Sequence, residues 1–202
     1  MHALRPRLRA LWQAPSGGPL AELVNEFSQF VRFPAAKLVP INANTIVHQA
    51  VEVFSGRLDG ITLKTMLAEN LPAVRADGAL LRSVVVNLID NAAEALENSA
   101  FREILVSTKA HSDAETVEIC VSDTGTGISP EDKDKLFLPH FSTKDRGTGL
   151  GLAIAARIVA EHGGSIHVED NLPIGSRFLV ELPAAELTPA SVADHNGSDA
   201  TQ

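Results

Sequence analysis

Residues 163–182 read Gly163-Gly164-Ser165-Ile166-His167-Val168-Glu169-Asp170-Asn171-Leu172-Pro173-Ile174-Gly175-Ser176-Arg177-Phe178-Leu179-Val180-Glu181-Leu182. Two β-type runs, about 165–169 and 176–182, are joined through Pro173-Ile174-Gly175 with no helix between them. A purely parallel, doubly wound sheet needs a helical crossover at each such step, so this stretch argues against one. Just upstream, a helical pattern from about 149 to 162 stops at Gly163-Gly164, a C-terminal stop signal. Further back, strands are expected at about 102–109 and 116–122, with the turn-like His111-Ser112-Asp113 between them. Asp77 is placed to cap a long helix, about 78–97, with Leu80, Leu81, Val84, Val85, Leu88, Ala92 and Leu96 on its inner face. Ile61 to Leu67 reads as a strand. Asn44 is expected to cap a helix that turns Ile46, Val47, Ala50, Val51 and Phe54 inward. The fold class that follows is α+β: a two-layer α/β sandwich in which a mixed sheet is covered on one face by helices.

The 202 residues carry 25 acidic and 17 basic side chains, a net charge of −8, and 45% are hydrophobic. That is the composition of an ordinary globular protein with one main domain and an appendage. The acidic balance argues against non-specific nucleic-acid binding, because phosphate neutralisation needs basic surface. It leaves a nucleotide site open, since backbone N–H groups can hold small phosphates. The lone cysteine, Cys120, excludes an intrachain disulfide and a cysteine-based zinc site. No apolar run is long enough to span a bilayer. The basic start, residues 1–12, lacks the apolar core of a secretory signal and reads as a frayed helix or the leftover of a longer parent. Residues 20–33 place Leu20, Leu23, Val24, Phe27 and Val31 on one helical stripe that needs a partner. Residues 184–202, rich in Ala, Ser, Thr and Asp, are expected to be a disordered tail.

Four segments carry chemistry. In the long helix, Ser83, Asn87, Asn91 and Glu94 form a polar stripe beside the apolar one. An amide oxygen suits Mg²⁺ that already carries phosphate oxygens, although the same letters fit a solvated helix face. After the strand ending at Ser122 comes Asp123-Thr124-Gly125-Thr126-Gly127-Ile128. A carboxylate at a strand end can accept from an exocyclic amine such as that of adenine, and glycines let a flat ligand approach; a plain turn fits as well. Leu136 to Lys144 is strongly apolar for a loop, with Phe137 and Phe141 as docking anchors. Lys144 is placed as a point charge for phosphates, and His140 reads as a packing or rim histidine. Lastly, Gly147-Thr148-Gly149-Leu150-Gly151-Leu152 leads into a helix whose N-terminus offers N–H groups and partial positive charge to an anion. It has neither the spacing of a dinucleotide fingerprint nor the Lys-Ser/Thr of a P-loop.

In this order and spacing the four segments resemble the N, G1, F and G2 boxes of GHKL-superfamily nucleotide-binding domains, specifically those of nitrogen-regulation-type sensor histidine kinases. The resemblance covers roughly residues 40–183 and extends to His162-Gly163-Gly164-Ser165-Ile166 and Gly175-Ser176-Arg177-Phe178. It implies a Bergerat-type fold over residues 37–183, after an N-terminal segment, 1–36, that keeps a stub of the second dimerisation helix. It implies ATP and Mg²⁺ as cofactors. Asn91 would hold the metal with support from Asn87, and Asp123 would take the adenine amine. Gly125, Gly127 and Ile128 would border the base. Lys144 and the backbone at Gly147, Thr148, Gly149, Leu150 and Gly151 would hold the phosphates, with about 128–148 as the ATP lid.

The partners implied are a histidine-bearing dimerisation domain and the receiver domain of a response regulator, with a homodimeric parent. The implied location is cytoplasmic, with inner-membrane anchoring of the parent left open. None of the histidines (His2, His48, His111, His140, His162, His167 and His195) is followed by Asp or Glu, as the family's phosphoacceptor is. The expectation is therefore a chain that binds ATP without phosphorylating itself. Two departures stand out. Glu94 lies where several such kinases place a basic residue, which leaves less positive charge near the phosphates. Asn87 lies where the family's ATPases place a catalytic Glu, and an amide cannot take a proton from water. A GHKL ATPase and an anti-sigma-type serine kinase remain the alternatives.

Overall fold

The computed structural model describes residues 36–111, 115–141 and 149–185. The helix expected at 20–33, the turn residues Ser112 and Asp113, the site residues Lys144, Gly147 and Thr148, and the tail beyond Ala185 lie outside the described residues. In chain order the elements are β1 (Val39–Ile41), α1 (Ala43–Glu52), β2 (Thr62–Met66), β3 (Val74–Ala76), α2 (Gly78–Ala95), β4 (Glu103–His111), β5 (Thr116–Asp123), α3 (Pro130–Lys133), α4 (Gly151–Glu161), β6 (Ser165–Asp170) and β7 (Ser176–Pro183). Five strands form one sheet in the order β2-β4-β5-β7-β6. Only β2 and β4 run parallel; β4–β5, β5–β7 and β6–β7 are antiparallel. The mixed α+β sandwich expected from the sequence is thus the observed architecture. The separate β1–β3 pair was not anticipated, because three-residue strands carry too little alternation to register.

Strand periodicity sorts the faces. Ile104, Val106, Val117, Ile119, Val121, Phe178, Val180 and Leu182 are buried and join the core with α1, α2 and α4. Glu118 and Glu181, out of phase with them, point to the other face. In α2, Leu81, Val84, Val85, Leu88, Ile89 and Ala92 are buried, with Leu96 just beyond. Ile89 joins this face although the sequence reading omitted it, while Leu80 is only partly buried.

One cap differs from expectation. Asn42, not Asn44, caps α1, accepting from the Asn44 N–H at 2.8 Å. Asn44 lies inside the first turn. Its side chain donates to Ala68 O and accepts from Thr108 Oγ1, both at 2.8 Å, tying α1 to β4. An Asn-x-Asn pair offers two candidate caps, and the second was claimed by a tertiary partner. The loop after β5 also contains the short helix α3, opened by Ser129 with Pro130 at its start.

Candidate functional site

α2 acts as a rail along which the distant segments line up. Asn87 and Asn91 are one turn apart, and Asn91 Nδ2 donates to Asn87 Oδ1 at 2.9 Å. That bond uses the nitrogen of Asn91, leaving its carbonyl oxygen, the atom able to ligate a hard cation, outside the pair. At the Asn87 level the rail meets the start of α4: a Cβ at Gly151 would run into Asn87 Nδ2. At its far end the rail meets the loop after β5: a Cβ at Gly125 would stand 2.7 Å from Ala95 O and 2.9 Å from Asp123 Oδ1. Gly125 is therefore required by its approach to the α2 backbone, while a side chain at Gly151 would displace the Asn87 amide. The two junctions are separated by the rise of about two helical turns, roughly 12 Å. Between α2 and α4 lies a cleft of about 120 Å³, lined by Ser83, Asn87, Gly151 and Ile154 among others.

Asp123 ends β5 facing the helices and is 2% exposed. Its Oδ1 accepts from Gly125 N at 2.8 Å and Ser176 N at 3.3 Å. Burial pushes its carboxyl above the ordinary value of 3.8, and those two backbone bonds oppose the rise. The backbone beside it is clasped as well: Asn171 Nδ2 donates to Asp123 O at 2.7 Å. Gly175, at φ +112°, lies so close that a Cβ would collide with Asp123 O. The β6–β7 turn thus presses the aspartate into place. Gly127, at φ +76°, continues the turn opposite Gly175.

Phe137 and Ile128 pack against the core, as does Leu136, while His140 is exposed. His140 has φ +66° and its N–H donates to Gly149 O at 2.9 Å. Gly149, at φ +67°, has no room for a Cβ against the His140 backbone. The apolar segment and the glycine segment therefore meet at this pair, and His140 holds a backbone position at the rim. Leu150 is buried, so any contact it makes with a ligand runs through its backbone. The Leu150 side chain makes no cap bond to α4.

Of the residues singled out in the sequence, Asn87, Asn91, Gly125 and Gly151 share the α2 rail, and Asp123 joins them through Gly125. Gly127 and Ile128 continue from Asp123, and Gly149 and Leu150 lead into α4. Ser83 turns back to its own helix, its Oγ donating to Leu80 O at 2.6 Å. The sequence reading missed Asn171 and the roles of Gly175 and Ser176 in holding Asp123. In the sequence the Gly175-Ser176 pair stands out only as part of the resemblance. The sequence reading also missed the role of His162, which is 3% exposed. His162 Nε2 accepts from Asp77 N at 2.9 Å and its Nδ1 lies 2.7 Å from Ile158 O, so the end of α4 is tied to the cap of α2.

Residues 76–186 match the family described as histidine kinase-, DNA gyrase B-, and HSP90-like ATPase. The chain is 33% identical over 166 residues to the sensor histidine kinase ZraS of Escherichia coli (strain K12), covering 81% of this chain and 35% of that relative's length. Among solved structures it resembles full-length ShkA in complex with AMPPNP, with a TM-score of 0.72 and 32% identity over 82% of this chain and 36% of that one. It also resembles histidine kinase ThkA in complex with the response regulator protein TrrA, with a TM-score of 0.68 and 27% identity over 82% of this chain and 47% of that one. No helix among the described residues is long and apolar enough to cross a membrane.

Proposed function

The chain belongs to the histidine kinase-, DNA gyrase B- and HSP90-like ATPase family, as a sensor histidine kinase catalytic domain, and on that premise we propose how it binds ATP with Mg²⁺ and where the γ-phosphoryl group goes. The acceptor in this reading is a histidine on a separate dimerisation segment, and a response regulator receiver domain takes the phosphoryl group next. The domain is residues 37–183, following the segment 1–36 and followed by 184–202. The parent acts as a homodimer in the cytoplasm. The observation that carries the reading is the α2 rail, which brings Asn87 and the start of α4 to one end and the Asp123 loop to the other, with Asn91 midway, over a span that suits a nucleoside triphosphate.

Each group has a role set by its chemistry. Asp123 accepts from the adenine amine, and the bonds from Gly125 and Ser176 fix the direction of its carboxylate. Gly125, Gly127 and Ile128 form the wall against which the base slides. The α4 start, through the backbone of Gly149, Leu150 and Gly151, faces the phosphates with its partial positive charge. The resemblance assigns Gly147, Thr148 and Lys144 to the phosphates as well. The Asn91 carbonyl oxygen fits a hard divalent cation, with Asn87 orienting it. Mg²⁺ bound there supplies charge neutralisation for the phosphates. No side chain here forms a bond to phosphorus; the protein contributes position and electrostatics to an in-line transfer. Hydrolysis by this site is expected to be slow, because Asn87 cannot serve as a base for water.

Two measurements test this. Calorimetry of the chain with ATP, with and without Mg²⁺, should show one site whose affinity depends on the metal. Adding a separately expressed histidine-bearing dimerisation segment and radiolabelled ATP should label that segment with an acid-labile phosphate. Acid-stable label on a serine would shift the reading to a serine kinase. Rapid phosphate release without any protein label would shift it to an ATPase.

A further inference from the structure

On the sheet face turned away from the helices, three side chains from three strands converge. Glu118 of β5 and Glu181 of β7 stand directly opposite in the antiparallel register. His111, at the end of β4, reaches Glu118 across the diagonal, since Thr116 is its direct partner. His111 Nε2 lies 3.1 Å from Glu118 Oε2, and the two side chains are 26% and 12% exposed. Each of the three residues offers one ligand atom, and these atoms all lie within 4.8 Å of one another. On its other side Glu181 is held by Ser165, whose Oγ donates to Oε2 at 3.3 Å.

Two carboxylates facing each other across a ladder repel, so the pair calls for a cation between them. Lys109 faces Glu118 from β4 but is exposed and flexible. Arg177 adds attraction for Glu118 from four residues along β7. The imidazole is the group that brings a nitrogen within 4.8 Å of both carboxylates. One nitrogen and two carboxylate oxygens make a mixed donor set suited to a borderline ion such as zinc. Magnesium, which favours an all-oxygen shell, is a poor match. With bonds of about 2.0–2.2 Å, ligand atoms on a shared tetrahedral ion stand roughly 3.3 Å apart. The His111–Glu118 pair already has that spacing, and small side-chain rotations bring in Glu181. The Ser165 hydroxyl is then the kind of outer partner that orients a ligating carboxylate.

We propose that His111, Glu118 and Glu181 form a binding site for a zinc-class divalent ion that clamps β4, β5 and β7 on the face away from the nucleotide. Three protein ligands leave at least one position to water. The site lies five residues up β5 from Asp123 and on the opposite face, so it is separate from the magnesium of the nucleotide reading and does not depend on that reading.

The test uses the untagged chain, stripped with chelator and titrated with zinc chloride in equilibrium dialysis, with thermal unfolding in parallel. One equivalent of zinc should bind saturably. At a zinc concentration about 100 times the Kd, the Tm should rise by roughly 5–10 °C. His111→Ala and Glu181→Gln should each lose at least about tenfold in zinc affinity. Glu181→Gln preserves shape and removes one of the opposed charges, so a retained circular dichroism spectrum with a lost zinc response separates ligation from misfolding. The proposal is overturned by no saturable uptake at about 0.1 mM zinc, by unchanged binding in both variants, or by an equal Tm rise with magnesium alone.

Discussion

The helices α2 and α4 begin in opposite ways. At the start of α2, Asp77 Oδ1 accepts from Ala79 N at 3.1 Å and Leu80 N at 3.2 Å, and Oδ2 accepts from Lys37 N at 3.1 Å. Those bonds hold the Asp77 carboxyl below the ordinary value of 3.8, with Lys37 the largest contributor. At the start of α4 the cap position is Leu150, in helical geometry and without a side-chain cap. One N-terminus is closed by the side chain of its own cap residue; the other begins at a residue whose side chain makes no cap bond, and the proposed reading gives that end to the phosphates. In the proposed reading, holding the rail still and gripping phosphates are tasks divided between the two helices. His162 links them, since it ends α4 and accepts from the backbone of Asp77.

The comparison breaks most readily at the ligand side. Asn91→Ala should lower Mg-ATP affinity about 100-fold, with little effect on ATP binding measured without metal. Ala is the better helix former, so α2 should unfold no earlier than in the parent. Calorimetry in matched buffers with and without Mg²⁺ checks it, and undiminished Mg-dependent affinity would move the metal elsewhere. Gly151→Ala should cost roughly tenfold in Mg-ATP affinity, because the new Cβ pushes the Asn87 amide aside. Adenosine binding should change less than twofold; if adenosine weakens equally, the two ends of the rail are not separable.

On the structural side the expectation inverts. Asp77→Ala should destabilise by about 1 kcal/mol, or roughly 2–4 °C in Tm, and leave Mg-ATP affinity within about twofold. The cap's contribution is present above pH 3.8 and is lost as pH falls through the depressed folded-state value. The Tm gap between variant and parent should therefore close under acid.

Asp123 has the opposite sign. A buried carboxyl with a raised pKa costs stability progressively as pH climbs from 3.8 through its folded-state value, and the full cost persists at neutral pH. Asp123→Asn removes the charge and keeps an acceptor for Gly125 and Ser176. Its Tm relative to the parent should therefore improve slightly from about pH 4 to about pH 7, while selectivity for ATP over GTP is lost. A variant that keeps that selectivity would count against the adenine role.

Much of this was legible in order along the chain. The antiparallel β6–β7 pair, the α2 cap at Asp77 and the asparagine stripe at a helical interval follow from local periodicity and from residues with few alternative uses. The α1 cap did not, because Asn42 and Asn44 are equally good local candidates and the choice rests on Thr108 and Ala68, more than twenty residues away. The clasp on Asp123 by Asn171, Gly175 and Ser176 was not legible either. A turn some fifty residues downstream supplies it, and nothing in the spacing of Asp123-Thr124-Gly125 points there.

The amino-acid sequence by itself determined which residues are competent: amides for a hard cation, a carboxylate for an amine, glycines where a backbone must come close. Local chemistry and period decide those matters, and both are written in neighbouring letters. Only the tertiary structure decided that Gly151 abuts Asn87, that Gly125 abuts Ala95, and that Glu118 faces Glu181 with His111 beside them. Such juxtapositions depend on strand register and helix placement, which the packing of the whole core selects at once.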